Sequence, residues 1–309
     1  MKTYNLFLSL LLFSAVSFAQ TPYEFLRLDA SARSAALGGS FITNADDPNV
    51  MFYNPANVGF IKKNLASAGF FKNLLDVNSG YLSYTPYLTG IGRVGFGIIY
   101  TNYGSFDLTD DFGKKFGTFS ANDIAAVFNY NNSVQKNLFY GLNVKLIYTG
   151  VHDISSFAAA MDFGITYFDR ETQFGVGVAV QNIGTQLKSF YDKKEKLPLD
   201  VKFGISKKLD HLPLRLEFSI SKLNEDAGSI TSRLKNFSVG GEFYLSDVIN
   251  LRIGYNNEKR RELKIGPAAG IAGFNAGLGI NIYDYRFDYG MSSLGSIGLW
   301  HRVNLTMTL

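Results

Sequence analysis

The chain has no cysteine and only three histidines in 309 residues. Without a thiol there is no acylated lipoprotein N-terminus, no thiolate metal site and no disulfide staple. His152, His211 and His301 lie in separate segments with no acidic pair at ligand spacing, a pattern that argues against a metal site. Long apolar runs are missing too. The run at 6–16 is well under the roughly 20 residues that a helix needs to span a bilayer, and no other stretch comes close. Charge is sparse at 18%, and although the pI is near 8.9 with a formal charge of +4, the basic residues are scattered rather than gathered into a nucleic-acid patch. A hydrolase needs a nucleophile and a base close together. The one such cluster is His152-Asp153 with Ser155 and Ser156, and adjacency along the chain is not triad geometry. Gly175 and Gly177 form a Gly-x-Gly inside a strand pattern with no helix after it, so they are not a phosphate loop. No enzyme activity and no cofactor is expected.

Aromatics, glycine and alternation are abundant instead. Aromatic residues make up 15% of the chain, with 31 Gly and 18 Tyr, a composition of many turns and many interfacial rings. At the start, Lys2, the apolar run 6–16 and Ser17-Phe18-Ala19 have the three regions of a secretory signal peptide, so residues 1–19 are assigned to it, with cleavage exposing Gln20.

From about Asn64 onward the chain alternates with period two. Leu138, Tyr140, Leu142, Val144, Leu146 and Tyr148 share one face, while Gly141, Asn143 and Lys145 share the other. The same pattern recurs around Val94–Tyr100, Phe174–Val180, Leu199–Ile205 and Leu214–Ile220. One face is continuously apolar; the other is small and polar. A soluble sandwich also alternates, but segments of about 10 residues, a Gly-rich polar face, tyrosines at strand ends and an export signal together predict a transmembrane β-barrel. About fourteen strands are counted over residues 61–309; at 282–284 outward parity switches with no inserted residue, which implies a tight turn or a bulge. Long links at 103–119, 182–198, 223–235 and 257–270 alternate with short ones, which predicts outer loops on one side, periplasmic turns on the other and both termini in the periplasm. The terminal strand, with Val303, Leu305, Met307 and Leu309 outward, has the form that barrel-insertion machinery reads. Gly95, Gly97, Gly277 and Gly279 are positions that permit strand kinks.

Residues 25–59 do not alternate. Asp29 or Ser31 can N-cap a short Ala-rich helix through Ala36, Gly38-Gly39 can stop it at positive φ, and Asp46-Asp47-Pro48 can open a second turn before Asn54-Pro55-Ala56 restarts the chain. Residues 20–60 are therefore expected to form an N-terminal segment that plugs or caps the lumen, with Arg27 and Arg33 facing wall acids such as Asp162, Glu217 or Asp288.

The same residues carry a resemblance. Phe25-Leu26-Arg27-Leu28, Ser31-Ala32-Arg33, Ala36-Leu37-Gly38-Gly39, Asp46-Asp47 and Asn54-Pro55-Ala56 look like the opening of PorQ-type proteins of the type IX secretion system, with PorV and the FadL-type fatty-acid channels as more distant relatives. The resemblance implies an outer-membrane barrel of a Gram-negative bacterium that anchors a PorZ-type surface partner, beside PorU- or PorV-type proteins, in the complex that handles secreted cargo. The alternative is a FadL-like channel for hydrophobic molecules, whose mark would be an apolar pocket beside the N-terminal segment with a gap in a strand. Two basic loops, Lys188, Lys193, Lys194, Lys196 and Lys259, Arg260, Arg261, Lys264, are candidate contacts for that partner or for lipopolysaccharide; the alternative for them is a solvated charge run. No nucleic-acid partner is expected.

Overall fold

The computed structural model describes residues 21–73, 76–225, 230–263 and 270–309. The signal peptide assigned to 1–19 and the candidate contact Lys264 lie outside the described residues.

Fourteen antiparallel strands close into one barrel: β1 (Leu65–Lys72), β2 (Asn78–Thr85), β3 (Gly92–Thr109), β4 (Lys115–Gln135), β5 (Leu138–Val151), β6 (Ile154–Asp169), β7 (Phe174–Lys188), β8 (Asp200–Lys208), β9 (Leu214–Ile220), β10 (Phe237–Tyr244), β11 (Ile249–Asn256), β12 (Phe274–Ile282), β13 (Tyr285–Ser293) and β14 (Leu299–Thr308). Each pairs with its neighbours in sequence, and β1 pairs with β14 from Leu65↔Thr308 to Lys72↔His301, so no strand edge is left in the wall. Closure is what lets strands cross lipid, because an unpaired backbone group there costs several kcal/mol. A two-residue ladder, Tyr87–Leu88 against the start of β3, decorates the β2–β3 turn. The parity switch at 282–284 is a tight turn: Ile282 pairs with Tyr285, and Tyr283 takes a positive φ of 52° between them.

The two faces separate as the alternation requires. Phe70, Leu82, Ile98, Phe128, Leu146, Ile165, Val178, Leu251 and Phe287 are exposed on the outside, where lipid covers them. Their neighbours, among them Ser67, Ser83, Asn129, Asn143, Lys145, Asp162, Glu217, Glu242, Arg252, Asp288 and Arg302, are buried on the inside. An apolar exterior around an even-stranded closed barrel is the architecture of an outer-membrane protein of a Gram-negative bacterium.

Inside the lumen, buried among those polar walls, runs the N-terminal segment. It comprises a 3-10 turn at Glu24–Arg27, the helix α1 (Ala32–Ala36) and two further 3-10 helices, Pro48–Phe52 and Pro55–Phe60. Asp47 and Asn54 cap the last two through the N–H groups of Asn49 (2.9 Å) and Ala56 (3.1 Å), each with proline at the first helical position. Gly38 and Gly39 end α1 at φ of 70° and 86°. The start of α1 differs from the sequence expectation. Ser31 stands at the N-cap position, but neither its side chain nor that of Asp29 makes the capping bond; the wall does, Asn304 Oδ1 of β14 accepting the Ala32 N–H at 3.0 Å. Leu37, Phe41, Ile42, Val50 and Met51 are fully buried, each contributing about 2 kcal/mol of transfer free energy.

The wall is moulded to this segment by its glycines. A Cβ added at Gly141 would lie 2.3 Å from the Pro55 carbonyl carbon, at Gly164 2.0 Å from Asn54 Oδ1, at Gly254 2.3 Å from the Gly38 nitrogen and at Gly290 2.4 Å from the Ala32 oxygen. Gly95, Gly97 and Gly277, positions that permit kinks, make room for Met51, Phe52 and Ala36. Absent side chains on the inner face are thus the imprint of the plug, of its backbone at Gly141, Gly254 and Gly290 and of its side chains elsewhere.

Two expectations about the ends are corrected. The link at 103–119 is largely strand, β3 and β4 running on to a turn at 110–114, and the first part of the link at 182–198 is strand too, β7 continuing to Lys188. Alternation above the membrane no longer has an apolar face to mark it, so it reads as loop. The first described residues are also not periplasmic. Arg27 pairs with Glu225 at 2.9 Å and Asp29 with Lys259 at 2.9 Å, both in connections on the long-link, outer side, whereas Arg170 and Lys208 at the opposite end flank Lys62 and Lys63. Strand counting locates Leu65 and Thr308; it says nothing of a segment that threads back through the lumen.

Candidate functional site

At the outer mouth lies an apolar cavity of about 640 Å³, between the first turn of the plug and the barrel wall. Phe25 and Pro22 form its plug side; Phe106, Phe119, Val151 and Ile154 form its wall; Phe190 and Tyr191 reach over from the β7–β8 loop. Local structure explains why these rings converge. The β3–β4 ladder breaks between Asn102↔Asn122 and Ser105↔Ser120, so Tyr103 and Gly104 together face Ala121, and Gly104 takes φ 83°. Such a bulge bends and twists the bulged strand. Beyond it Phe106 stacks on Phe119 with ring centroids 5.2 Å apart, and Phe119 on His152 at 5.5 Å. Tyr23 OH, 2.6 Å from Ser156 Oγ, ties the plug to β6 near the cavity; burial holds this phenol above its ordinary pKa, so it stays neutral. Ser156 also meets Gln186 at 2.8 Å, whereas His152 pairs with Asp153 at 2.9 Å, so the His-Asp-Ser cluster is spent on separate structural contacts.

The cavity floor is the cross-strand pair Asp123 and Thr149. Tyr103 OH donates to Asp123 Oδ2 at 2.6 Å, while Asp123 Oδ1 and the neighbouring Thr149 Oγ1 make no hydrogen bond of good geometry.

Toward the periplasmic end the lumen is closed by ion pairs. Arg33 donates to Glu242 at 2.7 Å and to Asp46 at 2.8 Å; Arg252 reaches Glu242 and Asp288, both at 2.6 Å; Arg286 meets Asp288 at 3.0 Å and pairs with Asp47. The guanidinium of Arg33 is 2% exposed, a depth at which a charge persists only when paired. The expected partners therefore change. Glu217 pairs with Arg215 at 3.1 Å and Asp162 with Lys145 at 2.8 Å, within the wall, and Asp288 holds Arg252 rather than a plug arginine. Arg27 binds Glu24 (3.2 Å), Glu225 and the Leu199 carbonyl (2.8 Å). Asp29 is drawn two ways: burial raises its pKa, but Lys259 and Arg302 outweigh that and hold it below the usual carboxylate range.

The remaining sequence-selected residues are spread out. Ser31 N–H meets Tyr53 OH at 3.2 Å, and its own Oγ has no partner. Pro55 O accepts Asn129 Nδ2 at 3.0 Å, and Ala56 is fully buried. In the β7–β8 loop Lys193, Lys194 and Lys196 are exposed, while Lys188 donates to Ser155 at 3.1 Å. On the short helix Asn257–Glu262, Lys259 is engaged by Asp29, Arg260 by the Gly270 carbonyl (3.2 Å) and Arg261 by Asn236 (3.4 Å). Val303, Leu305, Met307 and Leu309 point outward at the end of the chain. The sequence does not single out the cavity residues: Phe106 and Phe119 read as loop, and although Phe119 keeps the inward parity of Ala121 and Asp123, Phe106 faces inward only because the bulge shifts the parity of β3.

No known protein-family model matches the chain, and no curated protein matches it. Solved structures do. The chain is similar to the toluene transporter TbuX of Ralstonia pickettii (14% identity, TM-score 0.56, covering 90% of this chain and 96% of that one). It is similar to the toluene transporter TodX of Pseudomonas putida (11%, 0.58, 88% and 95%). A FadL homologue of Pseudomonas aeruginosa matches in the same way (12%, 0.57, 90% and 98%). Among the described residues no group of three or more His, Cys, Asp or Glu side chains is placed to hold a metal ion. At these identities the likeness is one of architecture: the chain has the 14-stranded outer-membrane barrel fold of the FadL, TodX and TbuX proteins.

Proposed function

We propose that the protein is a non-enzymatic outer-membrane barrel that takes a hydrophobic molecule into the cavity at its outer mouth. One observation carries this reading: an apolar, ring-lined space of about 640 Å³ lies against the N-terminal segment, beside a break in the β3–β4 ladder. That volume is in the range of small-molecule sites, roughly 300–1,000 Å³. The similarity to hydrocarbon transporters supports the same class of guest. Ala121 sits inside the cavity and tests it. The barrel in zwitterionic nanodiscs should retain dodecane saturably, and Ala121→Trp should abolish the saturable part while leaving heat-dependent gel mobility unchanged. Equal retention by both proteins would mean partition into lipid alone and would remove the reading.

A second reading is a partner-anchoring barrel of type IX secretion, and it too has a specific support. β3 and β4 stand beyond the wall and carry Phe112 and Phe116 in the open, at 97% and 69% exposure, and Lys193 and Lys194 in the β7–β8 loop are exposed as well. Single apolar side chains outside are ordinary, but two on one projecting hairpin suit a protein partner. The motif series from Phe25 to Ala56 resembles PorQ-type openings and supports the same role, with a PorZ-type partner and possible PorU- or PorV-type neighbours. Isolation of the barrel from native outer membrane with identification of what travels with it tests this; recovery of the barrel alone, under conditions that keep other membrane complexes intact, counts against it.

A further inference from the structure

We infer that the outer cavity discriminates by charge at its floor: it takes hydrophobes that are cationic or that carry a neutral hydrogen-bond donor, and rejects those ending in a carboxylate. This deepens the hydrophobe-binding reading above and rests on it. Among the described lining residues the cavity has two carboxylates, Asp123 and Glu24, and no lysine, arginine or histidine. Glu24 is held by Arg27, whose guanidinium also spans to Glu225 and the Leu199 carbonyl, outside the cavity lining. Asp123 has no cation. It is 1% exposed, its Oδ2 takes one hydrogen bond from Tyr103, and its Oδ1 makes no hydrogen bond of good geometry, with only the cross-strand Thr149 hydroxyl beside it. A buried polar atom without a partner is rare in native structures and needs an explanation. A guest donor group arriving at the floor supplies one.

Chemistry sets the direction. A carboxylate-tailed hydrophobe, entering head first, brings a second negative charge into an apolar enclosure where charges are poorly screened; entering tail first, it leaves its head at the mouth beside Glu24. An ammonium meets an opposite charge at the floor, and an alcohol donates to Asp123 while accepting from the Thr149 hydroxyl. The inner walls are hydrocarbon and the same for all three, so the head group alone decides the order.

The test uses the full barrel in zwitterionic nanodiscs at pH 8 with three probes of one chain length, dodecylammonium, 1-dodecanol and dodecanoate, each measured as binding in excess of the cavity-filled Ala121→Trp protein. The expected order is dodecylammonium, then dodecanol, then dodecanoate, with the two ends separated by at least about tenfold, the factor a modest difference in buried-charge interaction produces. Asp123→Asn should keep dodecanol and collapse the gap between the two charged probes. Dodecanoate binding as tightly as dodecylammonium, or an order unchanged by Asp123→Asn, overturns the inference while leaving hydrophobe binding intact. Excess binding of none of the three overturns both, and Thr149→Val, which keeps shape and removes one floor oxygen, guards against a fold defect in the Asn variant.

Discussion

Gly254 shows how much of this molecule is decided by single missing atoms. Its would-be Cβ lies 2.3 Å from both the Gly38 nitrogen and the Leu37 carbonyl carbon, backbone that cannot step aside, whereas the Cβ of Gly241 would meet only side chains at 3.5 Å or more. Gly254→Ala should therefore destabilise the barrel by about 1–3 kcal/mol or expel α1, and Gly241→Ala should be tolerated; urea unfolding in detergent micelles separates the two. Arg33 is the second single residue with wide reach. Replacing it by Met leaves Glu242 and Asp47 buried with one cation fewer, at a cost of about 3–5 kcal/mol, and Arg33→Lys should recover part of the loss. The exposed Lys193 and Lys194 make the opposite prediction: Lys193→Glu with Lys194→Glu should leave thermal stability within about 0.5 kcal/mol.

Among elements, strands and plug differed in how far the sequence disclosed them. The outward set at Leu138, Leu142 and Leu146 identifies a strand without knowledge of its partners, because side-chain parity is a local property. The cap at Asp47 was legible for the same reason, donor and acceptor being two residues apart, and Asn54 caps Ala56 at the same spacing although Asn54-Pro55-Ala56 reads in sequence only as a restart of the chain. Gly141 and Gly164 were equally visible, but what they make room for lies 86 and 110 positions away at Pro55 and Asn54, and nothing local states it. The partner of Arg33, Glu242, is 209 residues distant, which is why the expected acids were other members of the same inner face. The cavity was hidden for a further reason, since a bulge at Tyr103-Gly104 reverses which side chains point inward. At this scale the plug has a pH signature. Asp29 is depressed in the folded state, so its contribution is present above the ordinary carboxylate pKa of about 4 and fades as pH falls below it. The difference in melting temperature between wild type and Asp29→Asn should be constant from pH 8 to 5 and shrink toward pH 3.

For the whole molecule, a lumen filled by residues 24–60 and pinned by buried ion pairs is a closed barrel, so whatever this protein receives from outside is first met at the mouth. Deleting residues 21–60 should give either failed assembly or a conducting barrel in planar bilayers, since the cavity left behind is lined by Lys145, Asp162, Glu242, Arg252 and Asp288. The two proposed roles share that mouth and differ in what arrives there, a small hydrophobe between the rings or a protein on the projecting hairpin. Crystals grown with 1-bromododecane, read by the anomalous signal of bromine, bear most directly on the central claim. The account predicts a peak between Phe25, Phe106 and Phe119 with the plug from Ala32 to Val58 in place; peaks confined to the lipid-facing groove beside Ala66 and Ala68, with none at the mouth, would contradict it.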